Sequence, residues 1–433
     1  METTQRTERF YDAVLRFSLW TLPYFYYISF CGVFAVVIHV LRTSKEALLD
    51  LFTRNILLMI SGLLILSSIV AFNKSEAFLQ LVNFLPFFLI FTALPTLLKK
   101  CGTLEKLALG WVISAIPINI VALVEYVLKS PFLPQPLQTV GAIAHLRSSP
   151  HVGRAMVTFN HPNVLASYLV MILGLGLGLI LKHLSQPPQK PSENTLHTDP
   201  KNQLEWSIWQ PRLLYIGTGL NLVGIFCSGS RNGLIIAVSQ LIVFALLART
   251  RRVVLIGGMV GLLAIALGAA VLGIGGRSVT GEAVAYDPRI GVWQIALDLM
   301  RERPLLGWGL GNYKLLYPER LIDPAHPYIA HPHNVWLLLG SEAGIPVMVT
   351  MTVFVGCICY QAVHGLIQQK HAPANRGMVL AYLFAFWGCI GFALFDVTLY
   401  DASINIMNWV MLAGIYSASR AEPAPSEPTL PKP

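Results

Sequence analysis

The chain has 433 residues, of which 55% are hydrophobic and only 12% are charged, against roughly a quarter charged in soluble proteins. That balance excludes a cytosolic enzyme of one or two globular domains and makes this an integral membrane protein. The net charge of +9 does not point to nucleic acid, because the Lys and Arg residues are spread between apolar runs, where they set orientation in a bilayer.

The N-terminal segment Met1 to Arg16 is polar and mixed in charge. No small-residue cleavage site follows the first apolar run, so no removable signal peptide is expected. A bilayer core about 30 Å thick requires about 20 apolar residues of helix. Such runs recur at 18–41, 55–72, 77–98, 107–128, 163–182, 213–229, 233–248, 253–274, 344–367, 378–398 and 402–419. The expected fold is all-α: a single polytopic helical membrane domain spanning residues 1–433, with eleven spans. A further short helix within Phe10 to Leu22 gives twelve. Five of the six cysteines lie inside apolar runs, Cys101 being the exception, and no CxxC motif occurs; burial is their expected role.

Positive side chains concentrate in the short cytoplasmic connections of membrane proteins. Lys99-Lys100, Arg249-Thr-Arg251-Arg252 and the Lys370 to Arg376 connection therefore mark the inner face, and the acidic turn from Asp396 to Asp401 the outer one. The 183–212 connection and the tail 421–433, both proline-containing and aperiodic, read as disordered cytoplasmic segments. Two long loops, 129–162 and 275–343, then fall outside.

The second outer loop stands apart, since Arg277 to His331 holds six basic and six acidic residues in a chain otherwise poor in charge. Asp287-Pro288 suits a helix start. Ile290, Trp293, Leu297 and Met300 follow at helical spacing, as in an amphipathic helix at a membrane surface. Gly307-Trp-Gly-Leu-Gly-Asn-Tyr is preceded by no strand, so it reads as a tight return of the chain and not as a nucleotide loop. His331-Pro-His333-Asn334 then opens a short apolar helix.

The first outer loop carries Lys129, Arg147 and Arg154 with no acidic residue, a sign that attracts anions. The turn Ser228-Gly-Ser230-Arg231-Asn-Gly faces the same side. Arg154, Arg231 and Arg289 thus reach one face, and converging guanidinium groups suit the bidentate binding of phosphate oxygens. A lipid-linked pyrophosphate is the natural anion at that depth; anchoring of helices at headgroup level is the plainer role for any one arginine. His333 can exchange protons near neutral pH. His331 and His333 make half of a zinc site with no third ligand at a characteristic spacing, and no Asp-x-Asp pair is present in the outer loops, so neither metal nor cofactor is expected. Arginines then take the place of a cation's charge.

Taken in order, Ser228-Gly-Ser-Arg231-Asn-Gly, Asp287-Pro-Arg289-Ile-Gly-Val-Trp, Gly307-Trp-Gly-Leu-Gly-Asn-Tyr, and His333-Asn334 with nine residues before Gly344 resemble the O-antigen ligase and O-antigen polymerase family. The likeness runs from about 150 to 370 and includes Thr158-Phe-Asn-His-Pro-Asn163. It implies a GT-C-type helical fold of about twelve spans in the bacterial inner membrane, with a mostly helical periplasmic loop. The implied activity is metal-independent, inverting glycosyltransfer from an undecaprenyl-pyrophosphate-linked glycan to a hydroxyl on lipid A-core or another glycan, as in lipopolysaccharide biosynthesis. By the same likeness, Arg231 and Arg289 bind the pyrophosphate and His333 is catalytic. Arg154, Asn163, His331 and Asn334, in the same outer segments, are expected to contact substrate. Val347 departs from the ligase motif, which has Gly, Thr or Tyr there. The alternative reading is a transporter of a small anion such as bicarbonate. The spans argue against it, because they are nearly free of ionisable residues; His39 and Glu125, near span ends, are weak exceptions. A scaffold binding lipid phosphates would need the arginines but not His333.

Overall fold

The computed structural model describes residues 2–43, 49–98, 101–129, 153–185, 209–248, 289–320, 328–370 and 373–420. Among them every regular element is helical. The chain forms α1 (Glu2–Thr21), α2 (Tyr26–Thr43), α3 (Leu51–Ile69), α4 (Lys74–Gln80), α5 (Leu85–Leu97), α6 (Cys101–Leu128), α7 (Pro162–Ser185), α8 (Trp209–Cys227), α9 (Arg231–Leu247), α10 (Arg289–Glu302), α11 (Tyr313–Leu316), α12 (Val335–Leu338), α13 (Ile345–Ile367), α14 (Pro373–Ala393) and α15 (Ala402–Arg420). Among the described residues, seven stretches are long and apolar enough to cross a membrane: α2, α3, α4 with α5, α6, α7, α13 and α14; α9 is a shorter apolar helix. The protein is thus an all-α polytopic membrane protein.

Ten of the eleven expected spans fall on described helices; the run 253–274 lies outside the described residues, as do Lys99-Lys100, Arg249 to Arg252, Asp287-Pro288 and most of the expected disordered segments. Two boundaries differ for reasons that proline supplies. The run 18–41 is divided at Pro23 into α1 and α2, and the run 77–98 is broken by a 3₁₀ turn at Leu81–Asn83 before Pro86 restarts the helix. Proline lacks the amide that would continue the helical ladder and disfavours helical backbone before it. The extra helix expected within Phe10 to Leu22 exists as α1. It buries Leu15 and Leu19 and is fastened to α6 by Trp111 Nε1 donating to the Leu19 carbonyl at 2.7 Å and Trp20 Nε1 donating to the Leu107 carbonyl at 3.2 Å.

The centre of the bundle is α7, nearly all of which is buried. It packs most extensively on α14, and also on α8, α6 and α9. Close approach to α14 depends on Gly174 and Gly178. A Cβ on Gly174 would stand 2.5 Å from the Phe384–Ala385 backbone, and one on Gly178 would stand 2.2 Å from Ala381 Cα. Small residues four apart let membrane helices meet backbone to backbone, where van der Waals packing replaces the hydrophobic effect. Gly178→Ala is therefore expected to cost about 1–3 kcal/mol through overpacking. The check is a lowered thermal unfolding midpoint in detergent; an unchanged midpoint would show that the pair of helices can separate freely.

The bundle has two chemically distinct ends. At one, Lys182 at the end of α7 pairs with Glu105 at the start of α6 at 2.5 Å. Asp50 before α3 accepts from Tyr416 Oη at 2.7 Å and pairs with Arg420 at 3.2 Å. The opposite end gathers the end of α6, the start of α7, the α8–α9 turn, α12 and the turn that follows α14.

Candidate functional site

Six segments from that second end meet: the end of α6, the stretch from Arg154 to Val157, the start of α7, the α8–α9 turn, the turn carrying Asp396 and the segment carrying His333. Glu125, near the end of α6, accepts from the backbone amides of Met156 at 3.0 Å and Val157 at 2.9 Å, and Ala155 N donates to the Cys227 carbonyl at 2.9 Å. These bonds fix the strand of chain that carries Arg154. Its guanidinium donates through Nε to the Ser228 carbonyl at 2.9 Å and through Nη2 to Asn163 Oδ1 at 3.0 Å. Asn163, in the first turn of α7, donates in turn from Nδ2 to Asp396 Oδ2 at 3.1 Å. The other oxygen of Asp396 meets His333 Nδ1 at 3.1 Å. Arg154, Asn163, Asp396 and His333 therefore form one continuous polar chain across segments far apart in sequence.

The His331-Pro-His333-Asn334 segment is shaped by its own caps. Asn334 Oδ1 accepts from Leu337 N at 3.0 Å, which starts α12, and Asn334 Nδ2 donates to the Leu394 carbonyl at 3.0 Å. Both ends of that amide, expected to serve substrate, are used to moor the histidine segment to the end of α14. His333 itself has φ of +51°, a left-handed conformation that is uncommon outside glycine. It folds the chain so that the His331 and His333 rings lie 4.5 Å apart and His331 lies 6.0 Å from the Tyr400 ring.

Burial pushes the His331 imidazole down to about 4, with His333 adding to the effect, so it is neutral near pH 7. Burial opposes ionisation of Asp396, yet the hydrogen bond and charge of His333, helped by His331 and the Val397 amide, hold its carboxyl well below the usual carboxylate range. The Asp396 carboxylate is therefore charged and fixed against an imidazole. Such a carboxylate orients the ring, selects its tautomer and stabilises the imidazolium formed when it takes a proton.

Arg231 opens α9, whose N-terminus is capped by Ser230 Oγ accepting from Gly233 N at 3.3 Å. Half-buried, it has no hydrogen-bond or ion-pair partner among the described residues. It lies three residues beyond Ser228, the carbonyl of which holds Arg154. An unpaired guanidinium at a helix N-terminus, where the dipole is positive, is a ready anion site. Arg231 makes no direct bond to the His333 chain. Arg289 opens α10 at the same end; its connection to the site runs through the packing described next.

Helix α10 is amphipathic as expected, with its phase corrected. The buried residues are Val292, Ile295, Ala296 and Leu299, which pack on Tyr313, Leu316 and Tyr317 in a small separate core. Ile290 and Leu297, assigned to the apolar stripe with Trp293 and Met300, are 63% and 38% exposed. The glycine segment folds back as anticipated. Trp308 N donates to the Ser341 carbonyl at 3.0 Å and Gly309 N to the Glu342 carbonyl at 2.7 Å, while Gly307, Gly309 and Gly311 all have positive φ.

The residue organising this return is Glu342, in a π-helical turn (Leu339–Ala343) before α13. Its two carboxyl oxygens accept from Gly311 N at 2.7 Å, Tyr313 N at 2.9 Å and Tyr400 Oη at 3.2 Å. Tyr313 Oη then donates to the Val292 carbonyl of α10 at 2.9 Å. One buried carboxyl thus joins the helix carrying Arg289 to the turn carrying Asp396.

Complete burial pushes Glu342 up to about 7, against the opposing pull of its donors. An acid whose folded pKa exceeds its unfolded value of 4.5 lends stability that is whole below pH 4.5 and lost as pH rises through about 7. His331, depressed from 6.5 to about 4, acts with the opposite sign in nearly the same window. The decisive quantity is therefore the stability of wild type minus that of Glu342→Gln. It is expected to shrink steadily between pH 4.5 and 7, read from thermal unfolding midpoints; a difference independent of pH would contradict the raised carboxyl.

His331, His333 and Asp396 each place a ligand atom within 4.8 Å of the others. The spacing of the histidines alone offers no third donor; the fold brings one from 63 residues further on. Beneath α12, an apolar cavity of about 340 Å³ opens among α13, α14 and α15, lined in part by Val335, Trp336, Met351, Gly356, Ile390 and Trp409. It begins two residues from His333.

Sequence reasoning missed Asp396 as a site residue, taking it only as an outer-face marker, and missed Glu342 altogether. Glu125 was noticed only as a charge near a span end. Comparison with known families adds one finding: a family model, Wzy_C, described as O-antigen ligase, matches residues 216–352. The match is about a third of the chain and contains Arg231, Arg289, His331, His333, Asn334 and Glu342, but not Arg154, Asn163 or Asp396. No curated protein matches the chain.

Proposed function

We propose, from the match of residues 216–352 to the O-antigen ligase family model, that this membrane protein transfers a glycan from an undecaprenyl-pyrophosphate-linked donor to an acceptor hydroxyl. The site then faces the periplasm from the bacterial inner membrane. The observation that carries the reading is the His333–Asp396 pair at 3.1 Å, tied through Asn163 to Arg154, at the same end of the bundle as Arg231, which has no partner among the described residues. A proton acceptor stands beside cationic groups, as a displacement with a phosphate leaving group requires.

In this mechanism Asp396 accepts from Nδ1 of His333, leaving Nε2 to take the proton of the acceptor hydroxyl. The hydroxyl oxygen bonds to the anomeric carbon from the face opposite the leaving group. The bond from that carbon to the phosphate oxygen breaks, and the polyprenyl pyrophosphate departs with the electron pair. Configuration inverts. Arg231 and Arg289 bind the pyrophosphate and offset the charge that grows on it, so that no metal is needed for the step. Arg154 and Asn163 hold the carboxylate in register, and His331 forms one wall of the pocket. The apolar cavity beneath α12 receives a stretch of lipid chain. By comparison with the ~150 Å³ cavity that takes up benzene, it has room for on the order of a dozen carbons.

The test uses the purified full chain with a radiolabelled undecaprenyl-pyrophosphate-linked glycan and either a lipid-anchored or a free glycan acceptor, with and without chelator. Transfer of label that survives chelation, with release of undecaprenyl pyrophosphate, supports the reading. Donor left intact with both acceptors, by protein that is monodisperse and thermally stable, rejects it.

A further inference from the structure

The geometry points to a binding site for a first-row transition-metal dication such as Zn²⁺ at His331, His333 and Asp396, and we propose that its occupancy switches the enzyme off. Three observations support it. The donor set, two imidazoles and a carboxylate, is the combination that binds zinc and its neighbours with coordination positions left open. The ligand atoms lie within 4.8 Å of one another. Zinc takes nitrogen at about 2.0–2.1 Å and oxygen at about 2.0–2.2 Å, so ligand atoms this close together need draw in by little to share one ion.

The supporting groups are also present. Metal-binding carboxylates and imidazoles are normally held by further hydrogen bonds that fix their direction. Here Asn163 Nδ2 donates to Asp396 Oδ2 at 3.1 Å and Val397 N donates to Asp396 Oδ1 at 2.9 Å. Pro332 between the two histidines, together with the left-handed backbone at His333, places both rings on one side of the chain. The His333 side chain is 35% exposed, which gives an ion a path to the cluster and leaves room for water at its remaining positions.

Occupancy and catalysis exclude each other. An imidazole whose lone pair is bound to a metal cannot take a proton from an acceptor hydroxyl, and a carboxylate turned towards the ion no longer orients that ring. The off-switch rests on the proposed function; the binding site does not.

The experiment titrates the full-length protein, purified in detergent through a tag free of histidine, with CoCl₂. Visible d–d absorption is followed, and the cobalt is then displaced with ZnCl₂. One equivalent is expected in wild type. His331→Ala, His331→Gln and Asp396→Asn, each eluting as wild type on size exclusion, should lose the band and weaken binding by more than the roughly 10- to 100-fold that removal of a mere supporting group causes. His364→Ala, remote from the cluster, should titrate as wild type. Wild-type titration in both His331 variants would overturn the site and identify the uptake as adventitious. In the transfer assay, ZnCl₂ should stop wild-type turnover and a chelator should restore it. Full turnover with one equivalent of zinc bound would overturn the switch. If no transfer occurs under any condition, the proposed function fails while the cobalt titration still decides the site.

Discussion

His333→Ala is expected to remove measurable glycan transfer while leaving the protein folded. A positioned general base contributes about 10²- to 10⁴-fold, and alanine leaves nothing in its place to receive the hydroxyl proton. Folding should survive, because the moorings of the segment belong to Asn334, through Leu337 and Leu394, and not to the imidazole. Asp396→Asn provides the graded comparison. The ring remains, but a neutral amide can neither fix its tautomer nor stabilise the imidazolium, so turnover should fall less far than in His333→Ala, with donor binding preserved. One further reading separates a base from a structural group. Free imidazole in the buffer should restore part of the activity of His333→Ala. Full transfer by His333→Ala would remove the base from the scheme.

The fold was largely legible because hydropathy is a strong signal: a run of about 20 apolar residues has few alternatives to a spanning helix. What failed was finer. Pro23 and Pro86 were visible in the sequence, yet whether a proline kinks a membrane helix or ends it depends on what packs around the freed carbonyls. Pro117 and Pro95 lie inside helices. The phase of α10 was misread because Ile290, Val292, Trp293, Ile295, Leu297, Leu299 and Met300 are apolar nearly all round the helix. Two stripes satisfy the same period, and only the packing of Tyr313 and Tyr317 chooses between them. In the candidate site, the histidines and arginines stand in distinctive local patterns of sequence, whereas the carboxylates do not. Asp396 sits in a turn that also contains Asp401, which caps the next helix by accepting from Ser403 N and Ile404 N. Nothing local separates the two acids; contact with a histidine 63 residues earlier does. Glu342 had a signal that was overlooked, since a carboxyl between two glycines in an apolar stretch must find donors or remain protonated.

Arg231→Ala is expected to reduce transfer about 100- to 1,000-fold, the usual cost of losing one group that stabilises charge building in a transition state. The size follows from its isolation. Arg154 spends its donors on the Ser228 carbonyl and Asn163, so it can do little for a phosphate without releasing the polar chain. Arg231 has no such obligation among the described residues and projects from a helix start whose dipole adds to its field. The same contrast predicts opposite effects on stability. Arg154→Ala strips donors from a carbonyl and an amide and should lower the thermal midpoint, since an acceptor left unsatisfied costs about 1–3 kcal/mol. Arg231→Ala breaks no hydrogen bond or ion pair among the described residues and should leave the midpoint in place. Arg231→Lys keeps the charge but loses the planar fork that grips two oxygens at once, so its activity should lie between those of wild type and alanine. Turnover and thermal midpoint measured on the same preparations test both halves. A fall in midpoint for Arg231→Ala as large as that for Arg154→Ala would mean that Arg231 serves the fold and not the leaving group.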